Sequence, residues 1–260
     1  MELFIDQLHS EIRLDRVPRR IVSLVPSQTE LLYDLGLEDE VVGITKFCIH
    51  PNKWFSSKDR IGGTKSINID QVKSLAPDLI IGNKEENTIE DIERLREIAP
   101  VWMSDIYSLK DALNMIKELS IITGRAVCGN QIIDKIDRGF SLLSKYREQT
   151  ERKTVLYYIW KDPYMVSGRS TFVDAMLNEC GFQNATNLDR YPEIGRLENN
   201  PDFIFLSSEP FPFKASHIAD FQLRFPSSKV VLVDGEMFSW YGSRLQFAPD
   251  YFLQLLNQIA

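Results

Sequence analysis

The chain has 260 residues, 43% of them hydrophobic and 26% charged, a composition typical of a globular protein. Its formal net charge of −7 argues against non-specific binding to nucleic acid. No stretch approaches about 18 consecutive apolar residues, so we expect no membrane-spanning helix.

Strand and helix signals alternate along the first half of the chain, after a predicted edge hairpin within residues 2–18. The predicted strands are residues 20–25, 41–45, 78–82 and 101–103. The predicted helices are residues 29–36, 68–75, 89–98 and 109–123. Ser27 and Glu30 predict a capping box at the first helix, and Gly36 predicts its end. This alternation is typical of a doubly wound parallel sheet.

Residues 125–152 predict one long helix. Ile132, Ile136, Phe140 and Leu143 recur at spacings of four, four and three, which makes one continuous apolar stripe. Some 25 helical residues would span roughly 35–40 Å. We therefore expect a spine helix that joins two lobes.

The same order of elements begins again after the spine. The predicted strands are residues 154–160, 201–206 and 229–233. The predicted helices are residues 170–180, 217–225 and 249–259. Pro77-Asp78 before a strand returns as Pro201-Asp202, which indicates a repeat. The sequence thus predicts an α/β protein with two doubly wound, Rossmann-like lobes, residues 1–124 and 153–260, joined by 125–152, with a ligand cleft between the lobes.

Ligands of open parallel α/β sheets bind beyond the carboxyl ends of the strands, and the loops there are rich in aromatic and cationic residues. The aromatic residues are Trp160, Tyr164, Phe211, Phe213, Phe238, Trp240 and Tyr241. The cationic residues are Lys46, Lys65, Lys84, Lys161, Arg169, Arg190, Lys214 and Arg244. Together they predict a flat or bulky organic ligand that carries negative charge. The alternative is that the aromatic rings plug the sheet ends and the cations are simply solvated.

Motifs for catalysis or metal binding are lacking. Cys48 and His50 follow the second strand, but without further Cys or His nearby they would form an incomplete metal site, so we expect them to line a pocket wall. Three cysteines, Cys48, Cys128 and Cys180, are too few and too scattered for a disulfide framework. No glycine-rich phosphate loop and no Gly-x-Ser-x-Gly elbow is present. The sequence predicts no enzyme activity, no intrinsic cofactor and no metal site.

Several motifs, in their order and spacing, resemble the metal-chelate receptors of ABC importers, which bind cobalamin, ferric siderophores or haem between two lobes joined by a helical backbone. The motifs are residues 20–32, 42–45, 61–63, 77–81, 165–168 and Cys180-Gly181. The loop of residues 47–51 is most similar to the cobalamin-binding branch. The resemblance implies a monomeric receptor for a corrinoid or iron chelate, an ABC permease as partner and an extracytoplasmic location.

The loop positions and the resemblance together predict the site residues. The expected ligand contacts are Pro26, Ser27, Phe47, Cys48, His50, Lys65, Asn83, Tyr107, Trp160, Tyr164, Arg190, Phe211, Trp240 and Tyr241. The family docks on its permease through an acidic residue in each lobe, which the resemblance places at Asp70 and at either Glu193 or Glu198.

Two departures from the family leave alternatives open. Thr64 and Asn83 stand where cobalamin binders often have tryptophan, whereas Trp160 and Trp240 lie in the other lobe, so the ligand need not be cobalamin. Residues 1–6 show no secretion signal, which as written predicts a cytoplasmic location. The alternative function is therefore a cytoplasmic enzyme or chaperone of cobalt- or iron-chelate metabolism on the same scaffold.

Overall fold

The computed structural model is a mixed α/β structure that describes residues 2–147, 151–195 and 200–259. The elements up to the long helix are β1 (Glu2–Ile5), β2 (Glu11–Leu14), β3 (Ile21–Ser23), α1 (Pro26–Asp34), β4 (Val41–Ile44), α2 (Asn52–Ser57), β5 (Asp59–Arg60), β6 (Gly62–Gly63), β7 (Ser66–Ile67), α3 (Ile69–Ser74), β8 (Leu79–Asn83), α4 (Ile89–Arg96), β9 (Val101–Ser104), α5 (Leu109–Ile122) and α6 (Ala126–Arg147). The elements after it are β10 (Lys153–Trp160), β11 (Met165–Val166), α7 (Phe172–Cys180), β12 (Phe182–Asn184), β13 (Phe203–Ser207), α8 (Ala215–Arg224), β14 (Lys229–Val233), α9 (Gly235–Ser239), a 3-10 helix (Ser243–Gln246) and α10 (Ala248–Ile259). Within the described ranges, no helix is long and apolar enough to cross a membrane.

The chain forms two α/β units. The N-terminal unit contains Met1–Ile106, Lys110–Asp134 and Tyr241–Arg244. The C-terminal unit contains Tyr107–Leu109, Lys135–Trp240 and Leu245–Ala260. The boundary between the units falls within α6, so this helix contributes residues to both. The predicted division at 1–124, 125–152 and 153–260 stays a prediction.

Both units are built on a parallel sheet with the same strand order. In the N-terminal unit the order is β4–β3–β8–β9, with β5 parallel to the outer edge of β4. In the C-terminal unit it is β12–β10–β13–β14, with β11 antiparallel to β10. In each sheet the first strand lies between the second and the third, so the direction of winding reverses there. The prediction of two doubly wound α/β lobes is confirmed.

The repeated Pro-Asp phrase has the same structural role in both sheets. The Asp78 carboxylate accepts hydrogen bonds from the backbone N–H groups of Arg19 (3.0 Å) and Arg20 (2.8 Å), just before β3. The Asp202 carboxylate accepts one from the backbone N–H of Thr154 (2.7 Å), at the start of β10. Each aspartate thus fastens the third strand of its sheet to the first.

The apolar stripe of α6 is buried, as its spacing predicts: Ile132, Ile136, Phe140 and Leu143 all lie in the interior. The helix is described from Ala126 to Arg147, which is shorter than the predicted range of 125–152. Residues 148–150 lie outside the described part of the chain. Residues 151 and 152 are not helical, because there the chain already leads into β10.

The beginning of α1 differs from the prediction, whereas its end agrees. Val25, and not Ser27, occupies the N-cap position, and no side chain caps the helix. Pro26 opens the helix instead, since its ring presets the helical φ and it has no backbone N–H that would need a partner. Gly36, with φ of 75°, follows the last turn as predicted. The capping box at Ser27 and Glu30 is therefore wrong.

Candidate ligand-binding site

Buried polar side chains hold the loops at the carboxyl edge of the N-terminal sheet. The Ser104 hydroxyl, at the end of β9, accepts hydrogen bonds from the side-chain amides of Gln28 on α1 (2.6 Å) and Asn83 at the end of β8 (2.9 Å). The Asn87 side chain accepts from the backbone N–H of Asn83 (2.9 Å) and donates to the carbonyl of Thr64 (2.9 Å). These bonds connect α1 with three loops, so the edge is preorganised before any ligand arrives. Asn83 supports this edge and has almost no exposed surface, so its role as a direct ligand contact stays a prediction.

The loop after β4 turns neighbouring side chains in opposite directions. Phe47 is 50% exposed, whereas Cys48 is completely buried. The Cys48 sulfur lies 3.1 Å from the hydroxyl oxygens of both Thr29 and Thr45. Burial raises the pKa of the Cys48 thiol, so it stays protonated and unreactive. Cys48 therefore anchors the loop in the core, whereas His50 is half-buried. A contact of either residue with the ligand stays a prediction.

The segment Tyr241–Arg244 of the N-terminal unit lies against α1 through a largely buried ion pair, whose side chains are 13% and 15% exposed. The Arg244 guanidinium donates two hydrogen bonds to the Glu30 carboxylate, at 2.8 Å and 2.6 Å. Burial raises the pKa of Glu30, and Arg244 partly opposes that rise. Gly242 is needed here, because a Cβ at this position would lie 2.4 Å from the Ser27 carbonyl oxygen. Arg244, predicted among the ligand-facing cations, is thus occupied by Glu30.

The other predicted ligand contacts at this edge differ in how much of their surface is exposed. Ser27 and Tyr241 are both buried, and Pro26 is half-buried. Lys65 is exposed, in the turn between β6 and β7. Of the predicted contacts in this unit, Phe47 and Lys65 are the most exposed, so they present the most surface for binding.

An aromatic pair lies at the carboxyl edge of the C-terminal sheet. Trp160 ends β10 and is 40% exposed. Phe211 follows β13, and its ring centre lies 5.9 Å from that of Trp160 in an edge-to-face arrangement. The backbone N–H of Phe211 donates to the carbonyl of Ile159 (3.2 Å), which keeps the loop beside β10. Since β10 and β13 are the strands between which the winding reverses, the pair occupies the usual ligand position of such a sheet.

Trp240 differs from Trp160 because it is only 7% exposed. Its indole N–H donates to the Glu209 carboxylate (3.0 Å), which also accepts a hydrogen bond from the Ser239 hydroxyl. The prediction that Trp240 forms a wall of the site is therefore limited to the small part of its ring that reaches the surface. Glu209 could not be predicted from the sequence, because a single glutamate in a loop follows no recognisable pattern.

Three further predicted contacts in the C-terminal unit have contrasting surroundings. The Arg190 guanidinium lies 5.6 Å from the ring centre of Tyr107 and donates to the carbonyl of Ser170 (2.7 Å). Tyr164 instead packs against the hydrophobic cluster, with its ring centre 5.2 Å from that of Phe221. Arg190 and Tyr107 form a half-exposed cation–aromatic pair, whereas Tyr164 is largely a packing residue.

The predicted docking acids are described in part. Asp70 is exposed in the first turn of α3, and Glu193 is exposed opposite Met165 in an isolated antiparallel bridge. Glu198 lies outside the described residues. The docking roles stay predictions.

One groove lies away from the carboxyl edges of the two sheets. A groove of about 520 Å³ lies on the N-terminal unit between residues 10–13 and 96–101, where β9 begins, and thus at the opposite, amino edge of the sheet. In the part of the chain that the structure describes, no group of three or more His, Cys, Asp or Glu side chains is arranged to hold a metal ion.

Comparison with known proteins places this geometry in a family. The family model for periplasmic binding proteins matches residues 21–223. The chain is 27% identical to an uncharacterized ABC transporter substrate-binding lipoprotein, YvrC of Bacillus subtilis, over 76% of this chain and 67% of that protein. It is 23% identical to the vitamin B12-binding protein of Vibrio parahaemolyticus, over 79% and 77% of the two chains. The structure superposes on the periplasmic heme-binding protein RhuT from Roseiflexus sp. RS-1 with a TM-score of 0.80, at 20% identity, covering 93% and 99% of the two chains. Because the family model spans most of the sequence, the chain belongs to the periplasmic binding protein family.

Proposed function

We propose that this protein is the substrate-binding component of an ABC importer and that it delivers a metal chelate, a corrinoid or an iron chelate, to a permease. The similarity to an ABC transporter lipoprotein and to a vitamin B12-binding protein supports this function. It favours the importer over a cytoplasmic enzyme or chaperone of chelate metabolism. An extracytoplasmic location, a monomeric state and permease docking through Asp70 and either Glu193 or Glu198 belong to the same proposal.

The observation that carries the proposal is the aromatic pair of the exposed Trp160 and the half-buried Phe211. A large apolar ring that stays exposed at the ligand edge of an α/β sheet, backed by a second aromatic ring, indicates an apolar partner. Tryptophan offers a broad rigid surface at low entropic cost, which suits the flat ring system of a corrin or porphyrin. The rings are held in place by β10 and the Phe211 backbone bond, so little ordering is needed on binding.

Titration with cyanocobalamin, hemin and a ferric siderophore tests the proposal. A bound chelate quenches tryptophan fluorescence, and the four tryptophans, of which Trp160 is the most exposed, report its binding. We expect at least one of the three to bind at one molecule per chain and to quench this fluorescence. Binding by none of them would contradict the proposal. Conversion of a bound chelate into a released product would instead support the alternative function, an enzyme of chelate metabolism.

A further inference from the structure

Two lysines flank the exposed Phe47 ring at the carboxyl edge of the N-terminal sheet. The backbone N–H of Lys46 donates to the carbonyl of Gly62 (2.8 Å), which lays the loop after β4 along the β6–β7 hairpin. A Cβ at Gly63 would lie 3.2 Å from the Phe47 ring and 3.4 Å from Cε of Lys46. Lys65 comes two residues later, so its Cα lies within about 7 Å of that of Gly63. Both lysines can therefore reach one molecule bound on Phe47.

Neither lysine is neutralised by an ion pair within the described residues, and both are exposed. Other cations at this edge are already paired: Lys84 lies 2.7 Å from the Asp105 carboxylate, and Arg244 pairs with Glu30. The Lys46 ammonium lies 5.1 Å from the Phe47 ring centre, over an aromatic ring and not beside an acid. In a chain of net charge −7, two unpaired cations at a preorganised edge are an arrangement that the fold itself does not require.

The acid that acts on Lys65 is Glu86, on the loop after β8. Burial raises the pKa of Glu86, and Lys65 opposes this rise. Glu86 acts on Lys65 only through space, without an ion pair in the described residues, so the Lys65 ammonium group can still bind a ligand carboxylate. The loop that carries Glu86 is fixed, because the Asn83 side chain accepts hydrogen bonds from the backbone N–H groups of Glu85 (2.8 Å) and Glu86 (3.2 Å).

We infer that Lys46 and Lys65 are specificity-determining residues that bind carboxylates at the rim of the ligand while its apolar face lies on Phe47. The inference rests on the proposed function and narrows it to anionic chelates, such as a porphyrin that carries two carboxylates. A ligand whose rim carries uncharged amides, as that of cobalamin does, would leave both ammonium groups without a charged partner. Ammonium–carboxylate bonds at a partly covered site also add orientation, since the rim can then bind in few ways.

The test compares hemin with its dimethyl ester, which keeps the ring system and the iron but has no carboxylate. The variants of the full chain are Lys46→Gln/Lys65→Gln and a control, Lys73→Gln/Lys117→Gln, which removes two exposed lysines of the same unit at helix positions. We expect the unmodified protein to bind hemin about 10-fold more tightly than the ester, and this preference to weaken at high salt. The first double variant should lose most of the preference through weaker hemin binding, whereas the control should keep it.

Equal affinity of the unmodified protein for hemin and its ester would overturn the inference, and this comparison does not depend on any variant. An equal loss for both ligands in the Lys46/Lys65 variant would overturn it as well. Tight binding of cyanocobalamin without binding of hemin would also overturn it, yet would leave the proposed function intact. Failure of every chelate to bind would contradict the proposed function itself.

Discussion

Replacement of Trp160 by alanine tests the aromatic pair directly. A tryptophan side chain presents about 250 Å² of surface, and 40% of Trp160 is exposed, so about 100 Å² is available to a ligand. At about 25 cal/mol per Å², complete coverage would contribute about 2.5 kcal/mol, and coverage of half that area about 1.2 kcal/mol. Since about 1.4 kcal/mol corresponds to a factor of ten, Trp160→Ala should weaken chelate binding by about 8- to 60-fold.

The affinity must be separated from stability, because the rest of Trp160 packs against its neighbours. Truncation should lower the free energy of unfolding by about 1–3 kcal/mol, which urea unfolding measures. A matched control is Leu223→Ala, which removes an apolar side chain that is 84% exposed in the same unit. Leu223 lies next to the end of α8, near the amino edge of the sheet, so its loss should leave binding unchanged. If Trp160→Ala binds the chelate within twofold of the unmodified protein, the pair does not contact the ligand.

Two further predictions concern the segment Tyr241–Arg244. Arg244→Gln should lower the free energy of unfolding by about 3 kcal/mol, because the Glu30 carboxylate stays buried without its partner. Since the pKa of Glu30 is raised in the folded state, the folded protein keeps this proton to higher pH than the unfolded chain, and stability falls as the pH rises above 4.5. Loss of Arg244 should enlarge that fall, and an unchanged pH dependence in urea unfolding would contradict this. Gly242→Ala should destabilise the protein by about 1–3 kcal/mol, because its Cβ would meet a backbone carbonyl, whereas Gly195→Ala has no atom within 4 Å and should be nearly neutral in the same assay.

The fold could be predicted from the sequence because local signals mark its elements. The apolar period of α6 and the alternation of strands with helices are readable along the chain. Gly36 and Gly181 follow α1 and α7 with positive φ, a conformation that favours glycine, so the ends of these helices could be predicted. The short α2 could not, because six residues inside a loop show no recognisable period.

The site could be predicted only as far as its loops, because the direction of each side chain depends on distant residues. Phe47 and Cys48 are neighbours, yet Cys48 is buried because Thr29, 19 positions earlier, holds its sulfur. Arg244 is paired with Glu30, 214 positions away, and no local pattern indicates this. Trp160 and Trp240 look equivalent in the sequence. In the structure Trp240 is buried and donates a hydrogen bond to Glu209, whereas Trp160 is exposed.

The most direct test of the central claim is a crystal structure of the protein with the chelate that binds most tightly in titration. We expect the chelate to lie at a carboxyl edge, with its ring system against Trp160 and Phe211. Electron density for the chelate in the groove between residues 10–13 and 96–101, at the amino edge of the N-terminal sheet, would contradict it.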